Sequence, residues 1–158
     1  MTMLQSVVRR RRAVAAAGAV SAGLLVLSAC DKPTPVSTIS IGRGSVSSEA
    51  ACYNDGKALD AKTLTKCATD KSDVKSIDLG QDQAIRIGVD PEIAENGWTI
   101  LVNGRQFADF SKNTYRSVPG SVFFNEQYQT GGETNTISIQ EGEKAPKGVW
   151  TFKLKKAY

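Results

Sequence analysis

From residue 38 to residue 158 the apolar positions fall on every second residue in short runs. Ile39 and Ile41 alternate with Thr38 and Ser40, and Ile77 and Leu79 with Ser76 and Asp78. Ile85, Ile87 and Val89 alternate with Arg86 and Gly88, and Ile137 and Ile139 with Thr136, Ser138 and Gln140. Trp150, Phe152 and Leu154, alternating with Thr151, Lys153 and Lys155, make the cleanest run. A period of two is that of a strand with one buried face, because successive side chains point to opposite sides. Trp98, Ile100 and Val102 share a face of another strand. It ends at Asn103-Gly104, the commonest two-residue hairpin turn, so an antiparallel partner is expected over residues 105–107. Residues 46–53 and Val122-Phe123-Phe124 read as further short strands. Residues 110–119 are less regular, with Tyr115 and Val118 as anchors.

Turn signals separate most of these runs: Asn54-Asp55-Gly56, residues 80–83, Asp90-Pro91 and residues 141–148. Residues 59–67 have room for one or two helical turns, and residues 91–96 for one. Nothing alternates strands with long helices. Eight or nine short strands in this order predict an all-β chain, an immunoglobulin-like antiparallel β-sandwich with Trp98 as its buried central tryptophan. The inter-sheet disulfide of antibody domains is missing, since Cys52 and Cys67 both precede Trp98.

The first 30 residues follow another pattern. Residues 1–12 are basic and carry no acid, and residues 13–27 are apolar and rich in Ala and Gly. That run is shorter than the roughly 20 apolar residues a membrane-spanning helix needs, and it fits the apolar region of a signal peptide. It closes on Leu27-Ser28-Ala29-Cys30, a branched residue, two small ones and a cysteine. An uncleaved anchor is the alternative reading, and it too places the domain outside the cell. Arg11-Arg12 offers half of a twin-arginine signal, so a Sec-type route is expected. Pro33 and Pro35 then exclude a helix. The expected organisation is a leader over 1–29, Cys30 with a flexible tether over 30–37, and one domain over 38–158.

Composition sharpens this picture. The 158-residue chain has 20 Lys and Arg against 16 Asp and Glu. Four of the basic residues are Arg9 to Arg12 in the leader, so the mature chain is near neutral, and no nucleic-acid partner is expected. Histidine is absent, which removes the commonest general base and metal ligand. Cys52 and Cys67 are an even pair in an oxidising compartment and are expected to form a disulfide that closes a loop near the N-terminal end of the domain.

Residues 1–30 resemble a bacterial lipoprotein signal peptide with its lipobox. That resemblance implies a diacylglyceryl thioether on Cys30, with palmitate as an expected acyl group, and residence on the extracytoplasmic face of the cell membrane. The Arg-headed, Ala-rich style and the Thr/Pro-bearing spacer resemble high-GC, Streptomyces-like actinobacterial lipoproteins. The Cys52…Cys67 pair, residues 85–90, Asn96-Gly97-Trp98 and Gly148-Val149-Trp150-Thr151-Phe152 resemble an uncharacterised group of these, a domain of unknown function. The resemblance brings no catalytic residues.

Candidate chemistry is sparse. Ser72-Asp73-Val74-Lys75 has Ser-x-x-Lys spacing without the companion motifs of a serine acyltransferase and reads as a solvated linker. The acidic groups Asp70/Asp73, Asp90/Glu92/Glu95 and Glu141/Glu143 all fall in turns and read as solvated. No calcium-loop pattern or phosphate loop occurs, and neither metal nor cofactor is expected. The aromatics after the hairpin stand out. Phe107, Phe110, Tyr115 and Tyr128, with Arg105 and Arg116, are a candidate binding surface for glycan or peptide; core packing is the alternative. The expected function is therefore a membrane-anchored, non-catalytic binding module of the cell envelope, contacting cell-wall polymer or an envelope protein. An enzyme accessory or carboxylate hydrolase and a structural spacer are the alternatives.

Overall fold

The computed structural model describes residues 34–69, 74–125 and 132–158. The expected leader over residues 1–29, Cys30, Asp70, Ser72, Asp73 and Tyr128 lie outside the described residues.

Among the described residues ten strands form two sheets. The first has the order β2 (Gly44–Glu49), β1 (Val36–Ile41), β5 (Ala84–Val89), β8 (Tyr115–Pro119), every pair antiparallel. The second is built on β10 (Gly148–Lys156). One edge of β10 pairs antiparallel with β9 (Thr134–Glu141), which continues to β6 (Trp98–Val102) and β7 (Arg105–Gln106). Its other edge is shared. β3 (Cys52–Tyr53) runs antiparallel to its first residues, and β4 (Lys75–Leu79) runs parallel to its last five. The parallel pair departs from the all-antiparallel expectation. Helices α1 (Ala61–Thr69) and α2 (Pro91–Asn96) fall where helical turns were expected.

The alternating residues meet in one core. Ile39, Ile85 and Ile87 come from the first sheet; Trp98, Ile100, Ile137, Ile139, Trp150, Phe152 and Leu154 come from the second. The Asn103-Gly104 turn has positive φ at both residues, +49° and +80°, as a type I′ hairpin requires. Asn103 also latches the turn to β9. Its side-chain oxygen accepts from the Thr136 N–H at 2.9 Å, and its amide donates to Asn135 Oδ1 at 2.7 Å.

Three local expectations are corrected. Gly120–Phe124 is a 3-10 turn, not a strand, with Phe123 and Phe124 both buried. Neighbours on a strand face opposite sides, so two adjacent phenylalanines enter one core only from a helical turn. Gly120 makes that turn fit: a Cβ there would lie 2.5 Å from the Gly80 carbonyl oxygen. Tyr115 is no anchor, being 51% exposed on β8. The domain also begins earlier than residue 38. Val36 and Ser37 belong to β1, and the carbonyl of buried Pro35 accepts the Trp150 indole N–H at 2.8 Å. At the same point the Val36 N–H donates to the Asp90 carboxylate at 2.7 Å, and the Asp90 N–H to the Val36 carbonyl at 3.1 Å.

Cys52 and Cys67 form the expected disulfide, with Cα atoms 5.8 Å apart and a sequence separation of 15. It ties α1 to β3, and Cys67 is buried. Replacing both cysteines with alanine should lower unfolding stability by about 3 kcal/mol, the chain entropy of a loop this long, measured by urea denaturation. Gly148→Ala should cost about 1–3 kcal/mol by overpacking, because its Cβ would lie 2.6 Å from the Trp150 ring.

Candidate functional site

Beyond the hairpin the chain folds back along β6 over residues 107–114. Main-chain bonds hold this segment: Phe107 N–H to the Ile100 carbonyl at 2.8 Å, and a reciprocal pair between Trp98 and Ser111 at 2.9 and 2.8 Å. Side chains add to them. The Trp98 indole N–H donates to the Asn113 carbonyl at 2.7 Å, Thr99 Oγ1 donates to the Ala108 carbonyl, and Arg116 Nη1 donates to the Asp109 carbonyl at 2.6 Å. The Arg116 guanidinium also lies over the Trp98 ring, 5.9 Å from its centroid, in cation–π geometry. A loop pinned at so many carbonyls presents its side chains from a fixed backbone.

Those side chains border a groove of about 480 Å³ lined by Gly97, Gln106, Asp109, Phe110, Ser111, Lys112 and Glu143. It offers one aromatic, an amide, a hydroxyl, an ammonium and two carboxylates. That mixture suits a ligand rich in hydroxyl or amide groups, held by hydrogen bonds around one stacking contact. A second depression, at residues 80–83 and 156–158, is lined largely by a turn and the segment after β10.

The six residues expected to share a binding surface are separated by the fold. Phe110 lines the groove. Arg116 braces the loop behind it. Phe107 packs against the core and on Phe123, ring centroids 5.7 Å apart. Tyr115 is exposed on the other sheet, and Arg105 is exposed at the hairpin. Tyr128 lies outside the described residues. Gln106, Asp109, Ser111 and Lys112 were missed, and Glu143 was read only as a solvated turn acid, because their convergence depends on how the 107–114 segment folds back.

Directly behind Gly97 and Glu143 lies a buried polar network. Glu141, expected to be solvated, is 0% exposed. Its Oε1 accepts from Asn96 Nδ2 at 2.6 Å, and Asn96 Oδ1 accepts from Lys147 Nζ at 2.6 Å. Oε2 has no hydrogen-bond partner; it faces Gly148, whose Cβ would sit 3.1 Å away. Nearby, Tyr53 Oη donates to Glu92 Oε1 at 3.0 Å. Burial pushes the Glu141 carboxyl pKa up, opposed by the Asn96 bond and the Lys147 charge and assisted by Glu92. Burial, the bond to Glu92 and the surrounding carboxylates push the Tyr53 phenol up to about 12. The signal for Glu141 was present in the sequence. It continues the inward series Asn135, Ile137, Ile139 at a period of two, and all four are buried.

No protein-family model, curated protein or solved structure matches this chain. Among the described residues no group of three or more His, Cys, Asp or Glu is placed to hold a metal, and no helix is long and apolar enough to cross a membrane.

The raised Glu141 pKa has a sign. The folded protein holds that proton more tightly than the unfolded chain, so stability falls as pH rises from the ordinary glutamate range through the raised value. Glu141→Gln should flatten that segment of the stability–pH curve and leave neutral-pH stability no lower than wild type, read by urea midpoints across acidic to neutral pH. In a tyrosinate absorbance titration one tyrosine should titrate at about 12, and Tyr53→Phe should remove it.

Proposed function

We propose that this chain is a lipid-anchored, extracytoplasmic module that binds a hydroxyl- or amide-rich ligand of the cell envelope, cell-wall polymer or an envelope protein, without chemical turnover. The pinned 107–114 loop carries this reading, because it sets Phe110, Ser111 and Lys112 rigidly along a groove at little ordering cost on binding. The Cys52–Cys67 disulfide supports an oxidising location, and the Leu27-Ser28-Ala29-Cys30 motif supports lipid attachment at Cys30. We read the two sheets as an immunoglobulin-like sandwich with Trp98 at its centre, and the chain as a relative of the actinobacterial lipoproteins it resembles. Near-neutral charge of the mature chain argues against nucleic acid as the ligand.

A second reading draws on one observation: Asp109 and Glu143 line the same groove. Two acids across a cleft are the apparatus of a glycoside hydrolase, with their separation deciding between retention and inversion.

The anchored protein, extracted in mild detergent and immobilised, should retain purified wall fragments or a single envelope protein. The Phe110→Ala, Lys112→Ala double variant should reduce retention by about tenfold or more, as loss of a stacking contact and a charged hydrogen bond implies. Equal retention by wild type and variant would remove the groove from the proposal. Release of soluble glycan that Asp109→Asn and Glu143→Gln abolish would establish the hydrolase instead. Cys30→Ala should move the protein from the membrane fraction to the soluble one.

A further inference from the structure

We infer that the end of the domain bearing Asp90, α2, the 107–114 loop and the 142–147 turn is a membrane-facing surface, and that the partner it is built to meet is the phospholipid headgroup layer. This rests on the lipidation of Cys30 proposed above. The argument is one of reach. The chain is fixed at residue 35: the Pro35 carbonyl is held by the Trp150 indole, and Val36 is clamped on both sides of its peptide by Asp90. Only five residue steps separate Cys30 from Pro35, and fully extended they span at most about 17 Å.

β10 measures the domain along its other dimension. From Trp150 to Lys156 the strand rises about 20 Å at strand spacing. Trp150, near its beginning, sits where the chain is clamped, and Lys156 at its other end pairs with Leu79, next to the 80–83 turn. In an inverted domain the clamped residue would stand about 20 Å from the bilayer, and farther by the depth of the 80–83 turn, on a leash of about 17 Å, so leash length disfavours inversion. The groove opens at the clamped end: Gly97 follows α2, and Glu143 follows the Gly142 N–H that donates to the Gly97 carbonyl at 2.8 Å. A ligand reaching Phe110 and Lys112 is therefore met at headgroup height. The 80–83 turn and the Asn103-Gly104 hairpin lie at the outward end.

The orientation is set by leash length, so it needs no headgroup charge. The test uses the full lipidated protein in phosphatidylcholine vesicles carrying a headgroup nitroxide quencher. A maleimide fluorophore is placed at Lys112→Cys or at Gln81→Cys, both exposed positions. The label at 112 should be quenched several-fold more than the label at 81. Inserting about 20 Gly/Ser residues between Pro33 and Thr34, with a coil span of about 25 Å, should bring the two values together. Equal quenching with the native leash, in protein that floats with the vesicles, overturns the orientation. Protein that fails to float, or floats equally well as Cys30→Ala, overturns the anchor instead.

Discussion

The fold hangs on the indole of Trp150. Its ring fills the centre of the core against Gly148, where no other residue leaves room, and its N–H is spent on the carbonyl of Pro35. A buried indole N–H without a partner is costly, so the incoming chain must pass this one point. That contact couples the start of β1 to the start of β10, 115 residues away, and so couples the first sheet to the second. Around it β10 acts as a spine, with β9 along one edge and β3 and β4 dividing the other.

The polar network behind Gly97 sets a different constraint. Glu141 is carried inward by the same alternation that buries Ile137 and Ile139. Once there it is held by Asn96, and Asn96 by Lys147, so α2 and the 142–147 turn are fixed to the end of β9. Buried polar groups specify one arrangement among several of similar apolar burial, at a cost in stability. Here the arrangement specified is the placement of the turn that carries Glu143 to the groove. Burial around the orphan Oε2 raises the carboxyl pKa above the ordinary glutamate range.

How legible this was depended on the range of the forces involved. Strands carrying Ile39, Ile85, Ile100, Ile137 and Trp150 announce themselves, because a period of two is local and every one of those residues is buried. The hairpin at Asn103 and the short helix after Asp90 were equally plain, since turn chemistry is local too. Phe123 and Phe124 misled because a run of apolar residues does not distinguish a buried strand from a buried turn. The parallel placement of β4 and the return of residues 107–114 along β6 are long-range choices with no local mark. For that reason the candidate aromatics do not stay together: sequence proximity gathered Phe107, Phe110 and Tyr115, and the fold sends them to the core, the groove and the opposite sheet.

The position of β10 in the order of the chain matters for how the molecule is made. Each of its three pairing partners is synthesised before it, and its indole is the piece the N-terminal strand waits for. Until those residues emerge, β9 lacks one neighbour, β3 and β4 have no sheet to join, and Ile137, Ile139 and Leu79 have no cover. Such non-local pairing makes folding slow. A chain whose spine is made after its partners stays open until that spine is complete.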